Sequence, residues 1–228
     1  MIDDTRYEVK FKLDQKSYTY LQNWLYSKTP FLRVFENRKV NSLYFDDLGY
    51  NSVKDNLSGV ANRYKYRLRW YDGGLSAFDD VIFEEKARIG RVGKKRFLKI
   101  PFARNDLFSV DVNRITREIN KQVFSGSSKL TSDYLFPTLL VNYEREYFCD
   151  NKGIRITIDK NLNFAAPLAQ KAVTEHKMIG VSSRVLEVKF DMSCKNEAQA
   201  YISKINLPPV RNSKYLTGLA VLNVANYL

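Results

Sequence analysis

Polar and apolar residues alternate most cleanly in Arg63-Tyr64-Lys65-Tyr66-Arg67-Leu68-Arg69-Trp70. Arg63, Lys65, Arg67 and Arg69 fall on one side; Tyr64, Tyr66, Leu68 and Trp70 fall on the other. A period of two predicts a β-strand with one cationic face and one aromatic-aliphatic face. Like charges along one face repel, so such a face persists either open to water or against an anion. A solvated edge strand meets the first condition, and charge runs are usually solvated faces. Repetition of the pattern elsewhere in the chain shifts the balance toward the second.

Residues 6–13 repeat it, with Arg6, Glu8, Lys10 and Lys12 opposed to Tyr7, Val9, Phe11 and Leu13. Further strands are predicted at 40–45, 81–88, 97–100, 138–148, 154–159 and 185–190. In these, Glu84 and Lys86 oppose Phe83 and Glu85, Arg145 shares a face with Tyr143 and Tyr147, and Glu187 and Lys189 oppose Leu186, Val188 and Phe190. Helical spacing appears at 18–27, behind Asp14 or Ser17 as cap and before the Thr29-Pro30 stop. It recurs from 109–111 to about 124, with an end at 125–128, then at 196–205 before Leu207-Pro208-Pro209, and at 214–228 behind Asn212 or Ser213. Residues 51–56 form a short helix or turn. Asp72-Gly73-Gly74 and Asn151-Lys152-Gly153 are turns. Gly90 and Gly93 bracket a basic loop leading to Phe97, and residues 161–180 show no readable period. With no internal repeat or linker, the expectation is one α+β domain over residues 1–228.

Composition then narrows the chemistry. The chain has 228 residues and a formal net charge of +12, from 37 Lys and Arg against 25 Asp and Glu, which points to a polyanionic partner. Cys149 and Cys194 make no CxxC or disulfide framework, so a reduced, cytoplasmic protein is expected. His176 is the single histidine, which leaves a His-based zinc site or a Ser-His-Asp triad poorly supported. The first residues form no apolar leader, and no run of 18 apolar residues occurs, so neither a signal peptide nor a membrane span is expected. Two arrangements satisfy the alternation. Ionic faces could all meet water, or a closed barrel could carry the charges in its lumen with helices over its apolar outside. Periodicity alone leaves both open.

Eight motifs stand in order along nearly the whole chain: Tyr7-Glu8-Val9-Lys10-Phe11, Ser42-Leu43-Tyr44-Phe45-Asp46, Tyr66-Arg67-Leu68-Arg69-Trp70-Tyr71, Phe83-Glu84-Glu85-Lys86, Tyr143-Glu144-Arg145, Arg155-Ile156-Thr157-Ile158-Asp159, Leu186-Glu187-Val188-Lys189-Phe190 and Ser213-Lys214-Tyr215. Together they resemble the catalytic domain of the vacuolar transporter chaperone (VTC) polyphosphate polymerases, in the triphosphate tunnel metalloenzyme superfamily. The resemblance implies an α+β fold, a closed antiparallel barrel tunnel of about eight strands with helices outside. It implies Arg67, Arg69, Lys86 and Lys214 as catalytic cations, with Lys10, Arg145, Arg155 and Lys189 also on phosphate. Glu187 would hold a divalent metal, Mn²⁺ or Mg²⁺. One of Lys94, Lys95 or Arg96 should face the lumen too; alternation favours Lys94 or Arg96 without deciding between them. Eukaryotic members of the family add an inositol-phosphate sensor domain and membrane spans, neither of which is seen in this sequence. Regulation and export are therefore left open, export through a membrane-protein partner being one route, and the oligomeric state is not readable. Related tunnel hydrolases usually begin with Glu-x-Glu-x-Lys; here Arg6 replaces the first Glu, which leans toward the polymerase branch.

Phosphoryl transfer fits such a lumen because it asks for positioning and charge neutralisation more than covalent chemistry. Arg binds non-bridging oxygens with a two-pronged fork, and Lys acts as a point charge. The partners implied are ATP and inorganic polyphosphate. The competing expectations are a tunnel hydrolase of triphosphate or polyphosphate and a non-catalytic polyanion binder. No nucleic acid is expected, because single-strand binding would place the aromatics on the cationic face and here they oppose it.

Overall fold

The computed structural model describes residues 2–4, 6–27, 29–72, 80–90, 92–103, 106–125 and 134–224. The predicted turn at 73–74, the helix end at 126–128 and the last residues, 225–228, lie outside them. The alternating segments are strands, and β1 and β9 join them outside any predicted segment: β1 (Ile2–Asp4), β2 (Tyr7–Leu13), β3 (Leu32–Asp46), β4 (Arg63–Asp72), β5 (Asp80–Ile89), β6 (Val92–Ala103), β7 (Phe136–Cys149), β8 (Arg155–Ala165), β9 (Ile179–Val181) and β10 (Arg184–Phe190). The helices are α1 (Gln15–Tyr26), α2 (Asn51–Leu57), α3 (Val112–Ser125), α4 (Lys195–Ile205) and α5 (Lys214–Val221). Asp14 caps α1 as expected, its Oδ1 accepting from the Ser17 N–H at 2.7 Å.

The strands form one antiparallel sheet in the order β1-β6-β5-β4-β3-β7-β8-β10-β2, with β9 added to β8. Its two ends, β1 and β2, are consecutive pieces of the N-terminal chain. The sheet therefore curls until both ends are served by one stretch of backbone. No ladder joins β2 to β6 or β1 among the described residues, so the sheet is a curled half-barrel and not the fully closed barrel expected from the sequence. Closure by hydrogen bonds stops where the chain leaves three-residue β1 and crosses to the opposite edge.

Alternation assigns the two faces. Leu43, Phe45, Tyr66, Leu68, Trp70 and Phe83 pack outward against Val112, Ile115, Ile119 and Val123 of α3. Phe11, Leu186, Val188, Ile156 and Ile158 pack outward against Tyr18, Leu21 and Leu25 of α1 and Ala198 and Ile205 of α4. Helix α5 departs from the expectation that all helices lie outside. Tyr215 and Leu219 of α5 pack on Val40, Tyr44, Leu139, Val141 and Tyr143, which share faces with the inward charges. Helix α5 therefore rests on the concave side.

Its close seating depends on Gly218. A β-carbon there would lie 2.5 Å from Leu139 Cδ2 and from Phe164 Cδ1, both fully buried side chains. Gly218→Ala should cost about 1–3 kcal/mol of stability by overpacking, read from urea denaturation. An unchanged midpoint would show that α5 is not wedged there.

Candidate functional site

The concave face is built by strands that each contribute every second residue. On β4 and β5, Arg67 stands opposite Glu84, and Lys65 opposite Lys86. Arg67 Nε donates to Glu84 Oε2 at 2.6 Å, and Arg67 Nη1 reaches the Tyr44 hydroxyl at 3.5 Å. Arg69 Nη1 lies 3.7 Å from Glu84 Oε1. Burial pushes the Glu84 carboxyl up, but Arg67 and Arg69 outweigh it and hold it at about 2. Three polar atoms of this face are buried with no hydrogen-bond partner among the described residues: Arg69 Nε, Ser42 Oγ and Thr157 Oγ1. A buried polar group left this way is costly unless a ligand completes it.

The facing wall comes from β2, β7, β8 and β10. Glu187 is 4 % exposed and draws Lys189 (2.6 Å), Lys10 (2.9 Å), Lys214 (3.7 Å) and Arg145 (3.8 Å). Asp159 is fully buried; Arg145 grips it with two bonds of 2.5 and 2.7 Å, and Lys214 approaches to 2.5 Å. Burial alone would raise both carboxyls. The surrounding cations reverse this and hold Glu187 well below, and Asp159 below, the usual carboxylate range. Lys10 Nζ sits between two carboxylates, 2.9 Å from Glu187 and 2.8 Å from Glu8, and Lys86 lies 3.9 Å from Glu8. Lys214 reaches this wall because it is the first residue of α5, which lies on the concave side.

Toward the N-terminal edge, Arg6, Tyr7, Glu8, Lys95, Arg155 and Lys189 line a cavity of about 160 Å³. Arg155 and Lys189 are cross-strand partners here, and Arg155 is exposed. Lys10, Arg67, Arg69, Lys86, Arg145, Arg155, Lys189, Lys214 and Glu187 all share the concave face. The expectation for the basic stretch after Gly93 is corrected. Lys95 is the cross-strand partner of Lys86, whereas Lys94 and Arg96 pair with Ala87 and Glu85 on the opposite face. Gly90 has φ 61°, and the pairing of Ile89 with Val92 sets the register that fixes Lys95 inward. Treating Gly90 to Gly93 as an open loop concealed that register.

Alternation did not reveal that Glu8, Glu84 and Asp159 serve as counter-ions, nor that Ser213 meets Lys65. Among the described residues, no group of three His, Cys, Asp or Glu side chains is placed to hold a metal ion. Glu187 is instead neutralised by four cations, and Lys10 occupies the position that would bridge it to Glu8. A divalent ion at Glu187 would have to displace Lys10 or Lys189 from it. The cations of this face outnumber the carboxylates and suit a polyanionic ligand. No helix among the described residues is long and apolar enough to cross a membrane.

Comparison with known proteins places this geometry. The model of one protein family, the VTC domain, matches residues 5–223. No curated protein sequence matches the chain. Among solved structures, the chain is similar to an adenylyl cyclase from Hippeastrum described as having a dominant triphosphatase activity (TM-score 0.55, 13% identity, 96% of each chain covered). It is also similar to the PH1819 protein from Pyrococcus horikoshii OT3 (TM-score 0.52, 13% identity, 95% of this chain and 99% of that one). An adenylate cyclase from Vibrio parahaemolyticus matches at TM-score 0.52 and 10% identity over 95% of this chain and 98% of its own. At these identities the likeness is one of fold, the triphosphate tunnel fold.

Proposed function

Because this chain belongs to the VTC domain family, we propose that its concave site transfers the γ-phosphoryl group of ATP to the end of an inorganic polyphosphate chain. A bond forms between a terminal phosphate oxygen of the chain and the γ-phosphorus. The bond from that phosphorus to the β–γ bridging oxygen breaks, and ADP leaves. The attacking oxygen is already ionised, so no histidine base is required; His176, the single histidine, accepts from the Leu168 N–H at 2.7 Å.

The observation that carries this reading is the buried cationic face with partnerless Arg69 Nε, Ser42 Oγ and Thr157 Oγ1. Two polyanions repel each other, and only a strongly cationic cleft holds their ends together. In this reading Arg67, Arg69, Lys86 and Lys214 neutralise the transferring group. Lys10, Lys95, Arg145, Arg155 and Lys189 hold the flanking phosphates as the curled sheet closes around the chain. A divalent ion, Mg²⁺ or Mn²⁺, would accompany the nucleotide and neutralise part of its charge.

A second reading, a triphosphatase, is favoured by the Hippeastrum neighbour's described activity. Water then replaces the chain end as acceptor. The test is to incubate the purified protein with ATP, Mg²⁺ or Mn²⁺ and a short polyphosphate primer, then size the products on a gel. Lengthened chains with ADP are expected. Free phosphate with no lengthening would select the hydrolase, and tripolyphosphate binding without turnover would select a polyanion-binding module.

A further inference from the structure

Lys65 differs from the other inward lysines. Lys10, Lys86, Lys189 and Lys214 each have a carboxylate within 4 Å. Among the described residues Lys65 has no carboxylate at ion-pair distance; its Nζ donates to Ser213 Oγ at 3.1 Å. Ser213 precedes α5, yet its side chain makes no capping bond to that helix. The charges facing Lys65 are Lys10 from β2, Lys86 from β5, and Arg63 and Arg67 from β4. A half-buried ammonium among like charges is unfavourable unless an anion completes it.

We propose that Lys65 and Ser213 Oγ form an additional subsite for one phosphoryl unit of an inorganic phosphate chain, adjoining the transferring group held by Lys86 and the Arg67–Arg69 pair, on the Arg63–Arg88 side. Strand register supplies the geometry. Lys65 and Lys86 are direct cross-strand partners, one alternation step from Arg67 and Glu84 and one from Arg63 and Arg88. The subsite extends the site beyond a nucleotide's triphosphate and selects for longer phosphate chains. It rests on the phosphate-chain reading given above.

Proton linkage gives it a signature. Burial, reinforced by Lys10, Lys86, Arg63 and Arg67, lowers Lys65 to about 7. Lys86, half exposed, is lowered to about 8 by partial desolvation together with Lys10, Arg67 and Lys95, against the pull of Glu8. In the empty protein at pH 8 Lys65 is therefore largely neutral. An adjacent phosphate restores its charge, so binding takes up protons and weakens as pH rises above 7.

The test is titration calorimetry with inorganic tripolyphosphate at pH 8, in two buffers of different ionisation heat, together with melting of the empty protein. Wild type should bind with net proton uptake. Lys65→Met should bind about tenfold or more weakly with less uptake, since a charge-assisted contact is lost, while its empty form melts no lower than wild type. Lys65→Arg, always charged, should keep the affinity. Wild-type affinity and uptake in Lys65→Met would overturn the subsite alone. A lower melting temperature with unchanged binding would make Lys65 structural and overturn it as well. A wild-type protein that binds no tripolyphosphate would overturn the phosphate-chain reading, and the subsite with it.

Discussion

Arg69→Ala should lower turnover of ATP by about 10²–10³-fold, the loss typical of removing one preorganised donor to a transition state. The same change should leave the empty protein's stability within about 1 kcal/mol, because Arg69 makes little use of its donors there. Its Nε has no partner, and its contact with Glu84 is long at 3.7 Å. Glu84 keeps Arg67 as its close counter-ion. Arg67→Ala is a different case. The alternation alone suggests that either arginine can be lost without harm to the fold, but Arg67 is the main partner of buried Glu84 and also meets Tyr44. Its loss should reduce both turnover and stability. Parallel measurements of kcat and urea midpoint on the two variants separate these outcomes. Unfolding of Arg69→Ala in step with lost activity would make Arg69 a structural residue.

Glu187→Gln should destabilise the empty protein by about 3 kcal/mol at pH 7, the lower end for a broken buried ion pair. The lower end applies because Asp159 still holds Arg145 and Lys214, and Glu8 still holds Lys10. Lys189 is the cation left without its 2.6 Å partner. Tripolyphosphate without metal should bind the variant as well as wild type or tighter, since one negative charge has left the face, and should raise its melting temperature. The sign in acid follows from the depressed carboxyl. Glu187 has a folded pKa well below its ordinary 4.5, so its contribution is fully present above 4.5 and is lost as pH falls through the folded value. The variant lacks that part of the acid dependence. Wild-type stability at neutral pH, combined with loss of metal-dependent turnover, would instead make Glu187 a dedicated metal ligand.

The inward residues were legible because a strand face is a period of two, and Arg67, Arg69, Lys10, Glu187 and Lys189 announce themselves by alternating with large apolar neighbours. Two kinds of information were not. One is register: whether Lys94, Lys95 or Arg96 points inward depends on which two residues make the turn, and a one-residue shift reverses all three. The other is pairing between distant strands. Glu187 reads as a lone carboxylate in sequence, yet β2 and β10 bring Lys10 beside it and α5 brings Lys214. Helix α5 looks like any other amphipathic segment; only the small residue Gly218 hints at close seating, and nothing local says on which face. Strands β3 and β6 also run longer than predicted, β3 through exposed residues 32–39 that do not alternate hydrophobic and polar.

The sheet order also bears on how the protein is made. Strands β3 to β6 pair with sequence neighbours, so this meander can assemble while the chain is still emerging from the ribosome. Strand β2 is synthesised before all of them but hydrogen-bonds to β10, near the other end of the chain. Its backbone donors and its apolar Phe11 and Leu13 must wait until β10 has been made, an interval in which an unpaired strand is open to aggregation or capture by a chaperone. The cationic site shares that schedule. Lys10 is translated well before Glu187 and Lys214, and no phosphate can be gripped between them until both have followed it out of the ribosome.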